Sequence, residues 1–211
     1  MDINFKRALI LSPHTDDAEL GCGGTMNRFL EEGREIFLVV FSKASIPKDS
    51  NLNPDIVLEE LKESTKEMGI KPKNLIILDY PLRLFSENRQ NILDDLIKLK
   101  DEIQPDLVFL PSSDDIHQDH RVIFQEGLRA FKNSDILGYE VPWNNLLTHL
   151  SCFIKLSEEN LKKKIASVRK YKSQSQRKFM NEGLIKSLAR VRGIQCDAEY
   201  SEAFEVLKIH V

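Results

Sequence analysis

Apolar runs of strand length alternate with helical patterns through the first two thirds of the chain, and this alternation restricts the fold more than any other feature. Strands are read at Lys6–Leu11, Glu35–Phe41, Asn74–Leu78, Leu107–Leu110 and Ile136–Val141, each aliphatic or β-branched and bounded by turn residues. Helical patterns fall at Ala18–Glu32, Pro54–Met68, Glu87–Ile103, Asp119–Phe131 and Glu158–Tyr171. Pro54 suits a first helical turn, and Gly33 and Gly69 suit helix ends. In the fourth helix Val122, Ile123, Phe124, Leu128 and Phe131 supply one apolar face. Strands and helices in this rhythm pack as right-handed βαβ units. The expected architecture is α/β, a mostly parallel sheet flanked by helices. After Pro142 the pattern changes to a strand-like Phe153–Leu156, helices and a closing strand near Phe204–Ile209. With 211 residues, 41% of them hydrophobic, the chain reads as one domain. Its core runs over about residues 1–142, with a C-terminal elaboration over about 143–211.

Ligands of open parallel sheets bind beyond the carboxyl ends of the strands. "PHTDD" follows the first strand and "PSSDDIHQDH" follows the fourth, so both emerge on one edge of the sheet. His14 and Asp17 leave the first loop three residues apart, and His120 lies just inside the helix that begins after "DIHQ". Two imidazoles and one carboxylate, with a fourth position for water, make a common catalytic zinc site. An ion there would relieve the repulsion of crowded carboxylates. Each loop read alone has a plainer account, with Thr15 or Asp16 capping one helix and His117 or His120 another. The glycines Gly21, Gly23 and Gly24 miss dinucleotide spacing, which would require glycine at Met26, and sit where close backbone packing is the expected use.

The net charge of −3 gives no pull towards nucleic acid. Between Lys155 and Arg192, however, twelve Lys or Arg stand against three Glu. That region reads either as a solvated helical face or as a basic rim for an anionic substrate. Three widely spaced cysteines fit a reducing compartment, and no apolar run is long enough for a membrane span, so a cytoplasmic protein is expected.

These residues resemble the PIG-L/LmbE-type zinc-dependent N-deacetylases. The family's first motif appears as "SPHTDDAELGCGG" and its second as "HQDH", with further matches at "YKSQ" and "RVRGIQCDAEYSEAFEV". The resemblance implies a Rossmann-like sheet without a dinucleotide and removal of acetyl groups from N-acetylglucosamine conjugates or related amino sugars. It implies Zn2+, or another divalent ion, on His14, Asp17 and His120. Asp16 falls on the general base, His117 on a protonated imidazole assisting the oxyanion or leaving group, and Asp119 on the residue that tunes it. It also admits a homo-oligomer.

Thr15 and Gln118 replace prolines usual in the motifs. An arginine common in the family at the start of the helix after the second strand is missing, and Val57 stands there. Arg83 is a candidate replacement, or a plain surface residue. Trp143 and Asn144, after the fifth strand, are candidates for stacking on a sugar and bonding its hydroxyls. The alternatives are packing beneath the elaboration and a simple turn. Other acyl or amide chemistry on this scaffold, or a non-catalytic sugar-binding relative, stays open beside deacetylation.

Overall fold

The computed structural model describes residues 5–43 and 55–210. One seven-stranded sheet, in the order β3-β2-β1-β4-β5-β7-β6, forms its centre. The strands are β1 (Arg7–Ser12), β2 (Glu35–Val40), β3 (Leu75–Ile77), β4 (Leu107–Pro111), β5 (Asp135–Tyr139), β6 (Leu150–Leu156) and β7 (Tyr200–Lys208). The helices are α1 (Asp17–Glu31), α2 (Ile56–Met68), α3 (Arg89–Ile103), α4 (Gln118–Ala130), α5 (Glu158–Val168) and α6 (Glu182–Ile194). β1 to β5 pair in parallel, whereas β7 joins β5 and β6 antiparallel. The sheet is α/β and mostly parallel, as expected. The elaboration extends the same sheet beyond β5.

The near-continuous apolar strands follow from burial on both faces. Within β1, Ala8 and Ile10 join one core with Cys22, Met26 and Phe29 of α1 and Leu61 of α2. Leu9 and Leu11 point the other way, into a core with Ile92, Leu96, Val122 and Ile123 of α3 and α4. A third cluster seals α5 and α6 against Leu20. Gly69 closes α2 at φ 92°, a left-handed conformation that costs glycine nothing. Ser157 and Asn160 form a reciprocal capping box at the start of α5. Pro54 lies outside the described residues, so its place at a helix start is not described.

One departure from the sequence reading concerns α1, expected as a continuous helix. It breaks at Cys22 (φ −143°, ψ 22°). Beyond the break the Glu202 carboxylate of β7 accepts the amides of Gly24 (3.0 Å) and Thr25 (2.7 Å). Lys164 of α5 donates to Glu202 (2.6 Å) and to the Leu20 carbonyl (2.7 Å). A buried ion pair thus supplies the caps that the break leaves open. The glycines there do serve close packing: a Cβ on Gly21 would lie 2.3 Å from the Tyr139 ring, and one on Gly24 would lie 2.5 Å from Leu156.

The chain runs outward from β1 through β2 to β3, then crosses back to place β4 on the other side of β1. The reversal leaves a crevice beyond the carboxyl ends of β1 and β4, where such sheets take their ligands.

Candidate metal centre

Two loops meet in that crevice. The first is held taut by its own polar groups. Ser12 Oγ donates to the His14 carbonyl (2.6 Å) and accepts the Ala18 amide (3.1 Å), while Asp17 Oδ2 accepts the His14 amide (2.8 Å). In the second, Asp115 Oδ1 accepts the His117 amide (2.8 Å), and His117 Nδ1 accepts the Asp119 amide (3.2 Å) as the cap of α4.

Three donor atoms converge. Asp17 Oδ2 lies 3.1 Å from both His14 Nδ1 and His120 Nε2, and the two nitrogens are 3.3 Å apart. Tetrahedral zinc with nitrogen donors at its usual bond length separates neighbouring ligands by about 3.3–3.4 Å, so the triangle fits such an ion. His117 brings a third ring nitrogen within 4.8 Å of those of His14 and His120. Each of the first two imidazoles is oriented by a carboxylate behind it. His14 Nε2 donates to Asp119 Oδ2 (3.0 Å), and His120 Nδ1 donates to Asp115 Oδ2 (2.7 Å). Metal-binding histidines are commonly held this way, with the outer nitrogen protonated and the inner lone pair free.

The electrostatics call for positive charge. Burial disfavours charge on His14, yet Asp17 and Asp119 outweigh it and raise its pKa to about 9. Burial is likewise outweighed at His120, where Asp17 and Asp115 raise the pKa to about 10. Asp17 is buried, but the two imidazoles hold its carboxyl well below the ordinary range. The carboxylates that hold these protons would equally favour a divalent cation, which would have to displace them.

Asp16 precedes α1 and caps nothing with its side chain. Among the described residues no other side chain bonds its carboxyl, which meets its own backbone amide. Burial and then the neighbouring Asp17 push its carboxyl up to about 6, against the opposing charges of His14 and Arg177. The capping account of this loop therefore does not apply to Asp16.

The family likeness implies a protonated imidazole at His117, tuned by Asp119. Burial first, and then the positive charge of His120 and His14, lower the pKa of His117, while the charges of Asp119 and Asp17 raise it. Because Nδ1 accepts an amide, the neutral ring carries its hydrogen on Nε2. The Asp119 carboxylate bonds His14 and acts on His117 by its charge, while its amide donates to His117 Nδ1.

Arg83 touches the site through its backbone. Its residue adopts φ 66°, its amide donates to Asp119 Oδ2 (2.8 Å), its carbonyl accepts from Gln118, and the residue is exposed. Val57, where the family arginine would stand, is buried in the core. Trp143 stacks on Phe179 of the elaboration, with centroids 4.2 Å apart and planes 12° from parallel. Asn144 is engaged through its main chain, its amide donating to Val141 (2.8 Å) and its carbonyl accepting from Ile116 (3.2 Å). The neighbouring Asn145 is the buried one, spanning the Val141 amide (2.8 Å) and Ser112 Oγ (2.6 Å).

Sequence reasoning named no role for Asp115 or Tyr171. Asp115 stands five residues before His120 in the same quoted loop, and an acidic residue so close to a ligand histidine was a usable signal. Tyr171, the first residue of "YKSQ", donates its buried hydroxyl to the Thr15 carbonyl and lies 2.8 Å from a Glu19 carboxylate oxygen. Burial, and more weakly Asp16, raise the Glu19 carboxyl to about 7 despite bonds from Ser64 and Tyr171.

A parallel sheet carrying two acidic and histidine-bearing loops at its switch point defines the class to which this chain belongs. The PIG-L family profile, described as GlcNAc-PI de-N-acetylase, matches residues 9–131, more than half the chain, and the chain belongs to that family. A relative in Escherichia coli K12, "Uncharacterized deacetylase YaiS", is 29% identical over 172 residues, covering 80% of this chain and 91% of the relative. Among solved structures, the N,N'-diacetylchitobiose deacetylase of Pyrococcus horikoshii superposes with a TM-score of 0.82 at 22% identity, covering 97% of this chain and 84% of that one. GalB of Pseudomonas putida KT2440, a 4-carboxy-2-hydroxymuconate hydratase, superposes with a TM-score of 0.80 at 18% identity over 98% of both chains. Among the described residues, no helix is long and apolar enough to cross a membrane.

Proposed function

We propose that this chain is a metal-dependent N-deacetylase that removes an acetyl group from an N-acetylated amino sugar or a conjugate of one. Membership of the PIG-L family supports the reaction, and the chitobiose deacetylase supports the substrate class. The observation that carries metal dependence is the triangle of His14, Asp17 and His120, at the separations a tetrahedral ion requires.

His14, Asp17 and His120 would hold the ion, oriented by Asp119 and Asp115. When bound, a divalent ion of this kind polarises an amide carbonyl and acidifies water. Zinc suits two imidazoles and a carboxylate, and other divalent metals accept the same set. Asp16, whose carboxyl bonds no other side chain among the described residues and is pushed up to about 6, takes the proton of the attacking water and returns it to the departing amine. The Nε2–H of neutral His117 donates to the oxygen that gains charge as the carbonyl becomes tetrahedral, the arrangement of a neutral-imidazole electrophile. Water supplies the oxygen of the released acetate and the hydrogen of the released amine, so the hydrolysis balances.

The test is acetate release from a panel of N-acetylated amino sugars, with metal content measured alongside. Chelation should abolish turnover. Asp16→Asn should lower it by about 10²-fold or more while metal content is kept. A fully active Asp16→Asn variant would remove Asp16 from the mechanism. Because the hydratase shows that this fold does not fix the reaction, addition of water without acetate release is scored in the same assay and would overturn the deacetylase reading.

A further inference from the structure

Asp119 is buried, and its carboxylate faces the outer nitrogen of His14 (3.0 Å). The other donors that fix this carboxylate come from the segment between β3 and α3. The Arg83 amide donates to Oδ2 (2.8 Å), and the Phe85 amide faces Oδ1 at a longer 3.5 Å. The Arg83 carbonyl in turn accepts from the Gln118 side chain (2.5 Å). Both polar groups of the Arg83 backbone are thus gripped by the first two residues of α4. Gln118 supplies there a donor that a proline could not.

The segment presents that amide from an unusual conformation. Pro81 to Leu84 form a turn closed by the Leu84 amide on the Pro81 carbonyl (3.1 Å), and Arg83, at its third position, has φ 66°. A left-handed backbone is costly for a residue with a Cβ, and it persists where the surroundings over-determine it. Here the surroundings are explicit. Phe85 is buried against Phe41 and Tyr80, with its ring centroid 6.0 Å from that of His14, and Gln118 and Asp119 hold the Arg83 peptide from α4. The Arg83 side chain, by contrast, is exposed and makes no ion pair among the described residues.

We propose that the turn after β3 is a third element of the metal centre: the Arg83 peptide, clamped by Gln118, holds the Asp119 carboxylate against His14 and so sets how tightly the ion is bound. Arg83 and Gln118 are positioning residues, acting through Asp119 rather than on the ion or a substrate. What counts at position 83 is the sign of φ, not the guanidinium. A carboxylate behind a ligand imidazole fixes its tautomer and raises its basicity, so loosening that carboxylate weakens the metal. The coupling is reciprocal, and a bound ion steadies the Arg83 amide in return. The proposal rests on the metal-binding role of His14, Asp17 and His120, and on no particular substrate or reaction.

The Zn2+ affinity of the purified full chain, measured by chelator competition, tests this, with thermal unfolding of the metal-free protein alongside. Arg83→Val installs a β-branched residue that resists positive φ and should weaken binding about 10-fold. Gln118→Ala removes an exposed donor and should weaken it about 3-fold or more. Arg83→Ala and Arg83→Gly lose the guanidinium but keep or ease the conformation, so both should bind Zn2+ within about 2-fold of the parent, or more tightly. A purely structural turn would lower the unfolding temperature without this ordering of affinities. Amide hydrogen exchange on the unaltered chain is a second measurement that needs no variant to fold: Zn2+ should slow exchange at Arg83 by about 10-fold. Arg83→Ala binding as weakly as Arg83→Val would assign the effect to the side chain and overturn the proposal. Equal affinity in all four variants overturns it too, as does exchange at Arg83 indifferent to Zn2+. A parent chain that takes up no Zn2+ refutes the metal centre itself, and the proposal falls with it.

Discussion

The ion pair of Lys164 and Glu202 should be one of the costliest places in the molecule to disturb. Lys164 is 5% exposed and Glu202 is 6% exposed. Glu202 accepts three hydrogen bonds, two of them from amides freed by the break in α1. Glu202→Gln keeps the shape but turns an amide group towards one of these donors and leaves the Lys164 ammonium buried without a counter-charge. Breaking a buried pair from one side costs about 3–5 kcal/mol. Lys164→Met keeps most of the volume and leaves the carboxylate its two amides, so its cost should be smaller. The double variant removes both charges and should be less destabilised than the sum of the singles by about 1–3 kcal/mol, the coupling of residues in direct contact. Urea unfolding followed by circular dichroism gives the four stabilities, provided the slope of the transition is unchanged among them. Single effects below about 1 kcal/mol, adding within about 0.5 kcal/mol, would refute the view that this pair fixes the break in α1.

Asp115→Asn loses the charged partner of His120 while keeping the shape, and should weaken metal binding about 10–100-fold in a chelator competition; unchanged affinity would show that the contact is idle. Gly21→Ala forces a methyl group against a Tyr139 ring whose hydroxyl is tied to the Leu11 carbonyl (2.9 Å). It should cost about 1–3 kcal/mol in thermal unfolding, and an unshifted transition would mean the ring moves freely. Asp106 accepts the amides of Lys6 and Arg7, and these bonds, working against burial, hold its pKa below the ordinary 3.8. A depressed folded-state pKa adds stability that is complete above the unfolded value and lost as pH falls through the folded one. Asp106 is exposed, so screening trims the gain, and Asp106→Ala should be less stable than the parent by about 0.5–1 kcal/mol near neutrality, with the gap closing below about pH 4; a gap independent of pH would exclude this role.

The parallel sheet was legible because strands covered on both faces write themselves as unbroken apolar runs, as in "RALILS" and "EIFLVV". The placement of His14, Asp17 and His120 followed from topology, since residues just past β1 and β4 can only emerge together. The tautomer of His117 was not legible. It depends on which ring nitrogen meets the Asp119 amide, a matter of ångströms that residue spacing does not encode. Nor was the break in α1: "ELGCGG" shows weak helix formers, but the carboxylate that completes the break comes from Glu202, 178 positions from Gly24. Arg83 drew attention for its side chain, whereas its left-handed backbone is what meets Asp119.

His14 and His120 approach within 3.3 Å across a separation of 106 positions. Neither loop can gather the donors alone, and the two strands that carry them are joined through β2 and β3. The site therefore exists only while β1 and β4 are paired side by side, a contact between distant parts of the chain. A cation captured there would in turn tie β1 to β4, so its binding would add to the stability of the central strands.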